Sequence, residues 1–182
     1  RAALRAGKTV YVAQPRLRDP NPFLRLDPAE IPPEEIDDAT TVSGISDYGT
    51  PTAPEDVAHV DLIVAGSVGV TTAGARIGKG EGYSDLEWAL FRELDAVDAR
   101  TTVATTVHEC SVLDGPESAV GAGADTLDPD AHDVPLDLVV TPERTVRTDT
   151  PYARPDGVDW DALDAEKLAE IPVLADRAPE NR

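Results

Sequence analysis

Gly78, Gly80 and Gly82 alternate along one short stretch, Gly74 to Glu87, which also carries Arg76, Lys79 and Asp85. Glycine lets the backbone reach positive φ and lets a ligand approach main-chain N–H groups with no Cβ in the way. Ser84 and Glu87 form the pattern S-x-x-E, a capping box that opens a helix. A helix start presents unpaired N–H donors and the positive end of a dipole, which favours anions. Arg76 and Lys79 add mobile positive charge, and Asp85 in the first turn could hold a metal ion. Together these residues read as a cradle for a polyphosphate and Mg²⁺, with the backbone of Gly78, Lys79, Gly80, Glu81 and Gly82 round the phosphates. The stretch matches neither G-x-x-x-x-G-K-[ST] nor G-x-G-x-x-G, and the same residues also suit a tight connection ahead of a helix.

The remaining chain supplies the elements that position this loop. Val60–Ala65 is a continuous apolar run of the kind buried on both faces of a parallel sheet. Leu86, Ala89, Leu90, Glu93, Leu94 and Val97 give helical spacing from Ser84 to about Val97. Thr9–Ala13, Thr101–His108 and Leu136–Thr141 read as further strands, with a short extension at Thr145–Thr148. Arg1–Ala6 reads as a helix tail stopped by Gly7, and Pro33–Ala39 as one helical turn. Glu55–His59 reads as a short helix, and Asp161–Glu170 as an exposed helix ended by Ile171-Pro172. Gln14–Pro33, Gly44–Pro54 and the glycine- and aspartate-rich Glu117–His132 read as loops. Strands alternating with helices predict one α/β domain, a three-layer sandwich around a largely parallel sheet. Ligands in such sheets bind beyond the carboxyl ends of the strands, and the glycine loop follows Val60–Ala65 at that edge.

Composition narrows the function classes. The chain has 182 residues, 35 acidic against 16 basic, and a formal charge of −19. Only Lys8, Lys79 and Lys167 are lysine. An acidic, lysine-poor but globular composition predicts a protein adapted to concentrated salt, where screening over ~3 Å at 1 M removes most self-repulsion. The charge argues against general nucleic-acid binding, which needs a basic surface. It also makes the loop cations more telling, since one of three lysines sits among the glycines. Cys110 is the only cysteine, which rules out an internal disulfide and fits a reducing cytoplasm. It reads as a small buried residue. No run approaches ~18 apolar residues, so no membrane-spanning helix is expected. The chain has no methionine and opens inside a helix, which suggests that a segment precedes it.

The wording of the loop resembles the 5-formyltetrahydrofolate cyclo-ligase family, also called methenyltetrahydrofolate synthetase. That family carries G-x-R-[LI]-G-x-G-x-G-Y-x-D, which Gly74, Arg76, Ile77, Gly78, Gly80, Gly82, Tyr83 and Asp85 match. Gly7–Val12 is similar to its early G-K strand, Val60–Val68 to its D-L-I-[IV]-x-P-G-x-A strand, and Asp133–Thr141 to its late D-x-P-x-D-x-[IV]-[IV]-T strand. Pro15–Arg18, Gly78–Glu87 and Thr106–Cys110 resemble the branch of methenyltetrahydrofolate-synthetase-domain-containing proteins. Against the plain enzymes, Ser84 replaces a second tyrosine, Leu86-Glu87 stands where a cation is common, and Val70-Thr71 replaces an apolar–aspartate pair.

The resemblance implies the fold of the NagB/RpiA and CoA transferase type and an ATP- and Mg²⁺-dependent reaction on a reduced folate. ATP phosphorylates the formyl oxygen, a folate nitrogen closes on the activated carbon, and phosphate leaves to give 5,10-methenyltetrahydrofolate. Arg76, Lys79 and Tyr83 take the catalytic positions, and Gly78, Lys79, Gly80, Glu81, Gly82 and Tyr83 those that hold nucleotide. Asp85 and Asp133 match the metal-site carboxylates. A further lysine and arginine are expected on an N-terminal helix outside this sequence. Two other readings stay open, a non-catalytic nucleotide-binding or interaction domain and a sugar-phosphate isomerase of the same fold.

Overall fold

The computed structural model describes residues 1–114 and 127–179, so part of the predicted Glu117–His132 loop lies outside the described residues. The chain forms two compact units, one of Arg1–Ala58 with Trp160–Arg182 and one of His59–Asp159.

The first unit opens with helix α1 (Ala2–Arg5), closed at Gly7. Strand β1 (Val10–Ala13) then pairs with β2 (Phe23–Leu26). Helices α2 (Ile36–Ala39) and α3 (Val42–Tyr48) precede β3 (Thr50–Thr52). The three strands make an antiparallel sheet in the order β1-β2-β3. Two stretches read as loop are therefore structured. Gln14–Pro33 contains β2, whose Phe23, Leu24 and Leu26 are buried, and its flanking prolines mask that pattern in the sequence. Gly44–Pro54 contains most of α3 and all of β3, and the Thr41 hydroxyl caps α3 by accepting the Gly44 N–H at 3.0 Å. The core here is Leu4, Leu26, Ile31, Ile36 and Ala39, joined by Val10, Val12, Ile45 and Tyr48.

The second unit carries the glycine loop. Strand β4 (Leu62–Val64) leads to a two-stranded ribbon of β5 (Gly69–Val70) and β6 (Arg76–Ile77), then to helix α4 (Tyr83–Glu93). Strands β7 (Thr102–Thr106), β8 (Leu138–Val140) and β9 (Thr145–Arg147) follow. The four-stranded sheet runs β4-β7-β8-β9, with β4, β7 and β8 parallel and β9 antiparallel. The chain is thus α/β with a largely parallel sheet, while Val10–Ala13 lies in a separate antiparallel one.

Three local expectations are corrected. The β4 run is not covered on both faces, for Leu62 and Val64 are 53% and 63% exposed. Strand β4 is an edge of its sheet, so a purely apolar run need not be a central strand. The capping box is not formed. Helix α4 starts one residue early, its N-cap is Gly82 at φ +69°, and no side chain caps it. The helix also stops at Glu93, short of Val97. Asp95 at φ +56° turns the chain, and the Ala96 N–H bonds back to the Phe91 carbonyl at 2.9 Å. Trp88, Ala89, Leu90 and Phe91 are all buried, so the helix is covered on every side at that level. The Trp88 indole donates to the Pro155 carbonyl at 3.0 Å, which satisfies its one polar atom.

Beyond this unit, helix α5 (Ala165–Glu170) starts four residues later than the predicted Asp161–Glu170 helix and ends where predicted, and a further helix, α6 (Pro172–Ala175), follows. Asp164 caps α5 by accepting the Lys167 N–H at 2.7 Å.

Candidate functional site

A cavity of about 350 Å³ opens where the predicted loop meets the end of β4. Gly66, Ser67 and Val68, just after β4, form one wall. Gly78, Lys79, Glu81, Gly82, Tyr83, Ser84 and Asp85 form the other, and Arg76 lies between them. This is the carboxyl end of a parallel strand, where open α/β sheets hold their ligands. The ribbon fixes the near wall, since Val68 N–H donates to the Ile77 carbonyl at 2.8 Å. Ser67 is fixed from the sheet by the Thr105 hydroxyl, 2.8 Å from its own.

The backbone of the loop stays open. Gly82 (φ +69°) lines the cavity and Gly80 (φ +84°) does not, and a side chain at either would meet nothing within 4 Å. Gly82 places the first turn of α4 against the cavity, and its carbonyl accepts the Leu86 N–H at 3.0 Å. In that first turn the Ser84 and Asp85 amides, both of residues that line the cavity, have no helical carbonyl to bond. Lys79 is exposed at the loop and makes no ion pair among the described residues.

Arg76 and Asp85 behave differently from solvated loop charges. They form an ion pair with each other, with side chains only 6% and 13% exposed. Arg76 also donates through Nη1 to the Gly66 carbonyl at 3.0 Å, while its Nε is buried without a partner. The Asp85 Oδ1 that receives Arg76 also accepts the Val134 N–H at 3.0 Å. That bond brings the start of α4 to the segment carrying Asp133. Asp133 itself accepts the Asp130 N–H at 2.9 Å and lies beside His132. Among the described residues, the one group of three ligands close enough to share an ion is Asp130, His132 and Asp133, and Asp85 is not part of it. A second carboxyl stands near Asp85. Burial, and then the Asp85 charge, push Glu87 up to about 7 while Arg76 pulls it down.

The polar residues that follow β7 have structural partners. His108 caps a 3-10 turn by accepting the Cys110 N–H at 3.4 Å. Glu109 is buried and pairs with Arg144 at 2.5 Å, away from the cavity lining. Cys110 is exposed, not buried. The sequence reading missed Gly66, Ser67, Val68 and Ser84 as lining. A signal was available for the first three, which stand just after an apolar strand at its ligand-bearing end.

A sequence model of the 5-formyltetrahydrofolate cyclo-ligase family matches residues 1–142. The chain belongs to that family. Proteins named "methenyltetrahydrofolate synthase domain-containing protein" from Danio rerio, Bos taurus and Homo sapiens are each 37% identical to it. The matches span 174 residues in the first and 175 in the others, covering 94–95% of this chain. The chain spans only 42–43% of the length of those relatives. No helix among the described residues of this family member is long and apolar enough to cross a membrane.

Proposed function

We propose that this domain converts 5-formyltetrahydrofolate to 5,10-methenyltetrahydrofolate with ATP and Mg²⁺, in the cytoplasm. The observation that carries the reading is the coincidence on one cavity of open loop backbone, the start of α4 and Lys79, which makes no ion pair among the described residues. Family membership supports the reaction and the NagB/RpiA-type fold.

The γ-phosphate is the group to be neutralised and aligned with the formyl oxygen. Backbone amides of Gly78–Gly82 and the Lys79 ammonium take phosphate oxygens, and Tyr83 at the helix start borders the same space. Arg76, which lines the cavity, would stabilise charge on the transferring group. The donor set fits a magnesium ion, which prefers one or two carboxylates and fills its remaining positions with phosphate oxygens and water. Asp85, which lines the cavity, would hold that ion; Asp133 does not line it and stands with Asp130 and His132, joined to Asp85 only through the Val134 N–H. When bound, it screens charge between ATP oxygens and polarises the transferred phosphoryl. The nitrogen that closes on the activated carbon belongs to the folate, so the protein's work is positioning and charge neutralisation.

The test is spectrophotometric. Protein in high salt with ATP, Mg²⁺ and 5-formyltetrahydrofolate should generate methenyl absorbance, with one ADP and one phosphate per turnover. A second reading, a non-catalytic nucleotide-binding domain, is favoured by Asp85 being engaged by Arg76. It predicts nucleotide binding with no absorbance change.

A further inference from the structure

The cavity sets its cation and its anion against each other. Asp85, the expected metal ligand, and Arg76, the expected phosphate ligand, are consumed in one buried ion pair. We infer that Arg76 and Asp85 exchange partners only when metal and polyphosphate arrive together, so that the site selects the metal–nucleotide complex over either component alone. This rests on the proposed ATP- and Mg²⁺-dependent function.

Charge balance sets the preference. Removing one member of a buried pair is strongly destabilising because the other is left uncompensated. A bare divalent cation on Asp85 would strip Arg76 of its anion and leave the guanidinium with the Gly66 carbonyl alone. A bare polyphosphate on Arg76 would likewise strand Asp85, with only the Val134 N–H to hold it. The complex supplies both signs at once. The cation replaces Arg76 on Asp85, the phosphate replaces Asp85 on Arg76, and no buried charge is left unpaired. The buried Arg76 Nε, which has no acceptor in the resting pair, gives the phosphate an additional donor. Arg76 is on β6 and Asp85 on α4, so the exchange needs side-chain rotation about two fixed elements. Lys79, outside the pair, provides initial attraction for either form of nucleotide.

Such coupling is reciprocal and typically amounts to about 5–150-fold. The test is titration calorimetry of the full chain in molar KCl with MgCl₂ alone, ATP in EDTA, and ATP with saturating Mg²⁺. Wild type should bind Mg·ATP on the order of 10–100-fold more tightly than metal-free ATP. Asp85→Asn frees Arg76, so its affinity for metal-free ATP should rise above wild type by about ten-fold. Arg76→Gln frees Asp85, so its affinity for Mg²⁺ alone should rise by a similar factor. Either gain is sufficient if the other variant does not fold. Wild type binding metal-free ATP as tightly as Mg·ATP would overturn the exchange and leave the nucleotide site standing. Loss of affinity for the bare component in both folded variants would overturn it equally. Absence of ATP binding in every form would overturn both the exchange and the function on which it rests.

Discussion

The Val134 amide donates to Asp85 across 3.0 Å, joining the first turn of α4 to the segment that enters β8. Asp85 is thereby a junction as well as a candidate ligand. From the sequence, Asp85→Asn is a mild change, because asparagine is tolerated near helix starts. The structure alters that expectation. The substitution leaves Arg76, 6% exposed, without its anion, and should lower stability by about 3 kcal/mol. Turnover should fall on the order of 10²–10³-fold from loss of a metal contact. Assays well below the melting temperature separate the two effects, and turnover within a few-fold of wild type would refute the metal role.

Gly80→Val tests the loop backbone. The new side chain has room, so the cost to the fold is limited to placing a β-branched residue at φ +84°, about 1–3 kcal/mol. Gly80 stands between the lining residues Lys79 and Glu81, and the branches of the new side chain would crowd the approach to their amides. ATP affinity by calorimetry should drop at least ten-fold in a variant that still melts cooperatively. Unchanged affinity would reduce the loop to a connection.

Glu87 predicts a pH dependence. Its carboxyl is raised to about 7 in the fold, by burial first and by Asp85 second, against about 4.5 unfolded. The folded state therefore holds the proton more tightly, and stability present below pH ~4.5 is lost as pH rises through ~7. For a half-buried side chain the loss should be about 1–2 kcal/mol. Glu87→Gln should remove that component, so its melting temperature should gain on wild type between pH 5 and pH 8. Parallel curves for the two proteins would show that Glu87 ionises freely.

The formal charge of −19 predicts salt dependence. Thermal melts from low to molar KCl should rise steeply as like charges are screened. A flat or falling curve would contradict salt adaptation.

The sequence by itself determined the local chemistry of the site. Alternating glycines, Lys79 and the helix that follows were legible because they depend on neighbours in the chain, through glycine's φ freedom and the open amides of a helix start. The parallel strands β7 and β8 and the position of the loop after β4 were also legible, from apolar runs and their spacing. Strand β2 was not, because prolines surround it and its burial depends on antiparallel partners on both sides. The exposure of Leu62 and Val64 was equally hidden, since an apolar run does not say whether it lies at the edge of a sheet. Only the tertiary structure decided what Arg76 and Asp85 do at rest. They stand nine positions apart, and spacing alone leaves each a free charge beside a loop. Folding the β5–β6 ribbon against the start of α4 removes water from both, and in that low-dielectric setting each becomes the other's compensation.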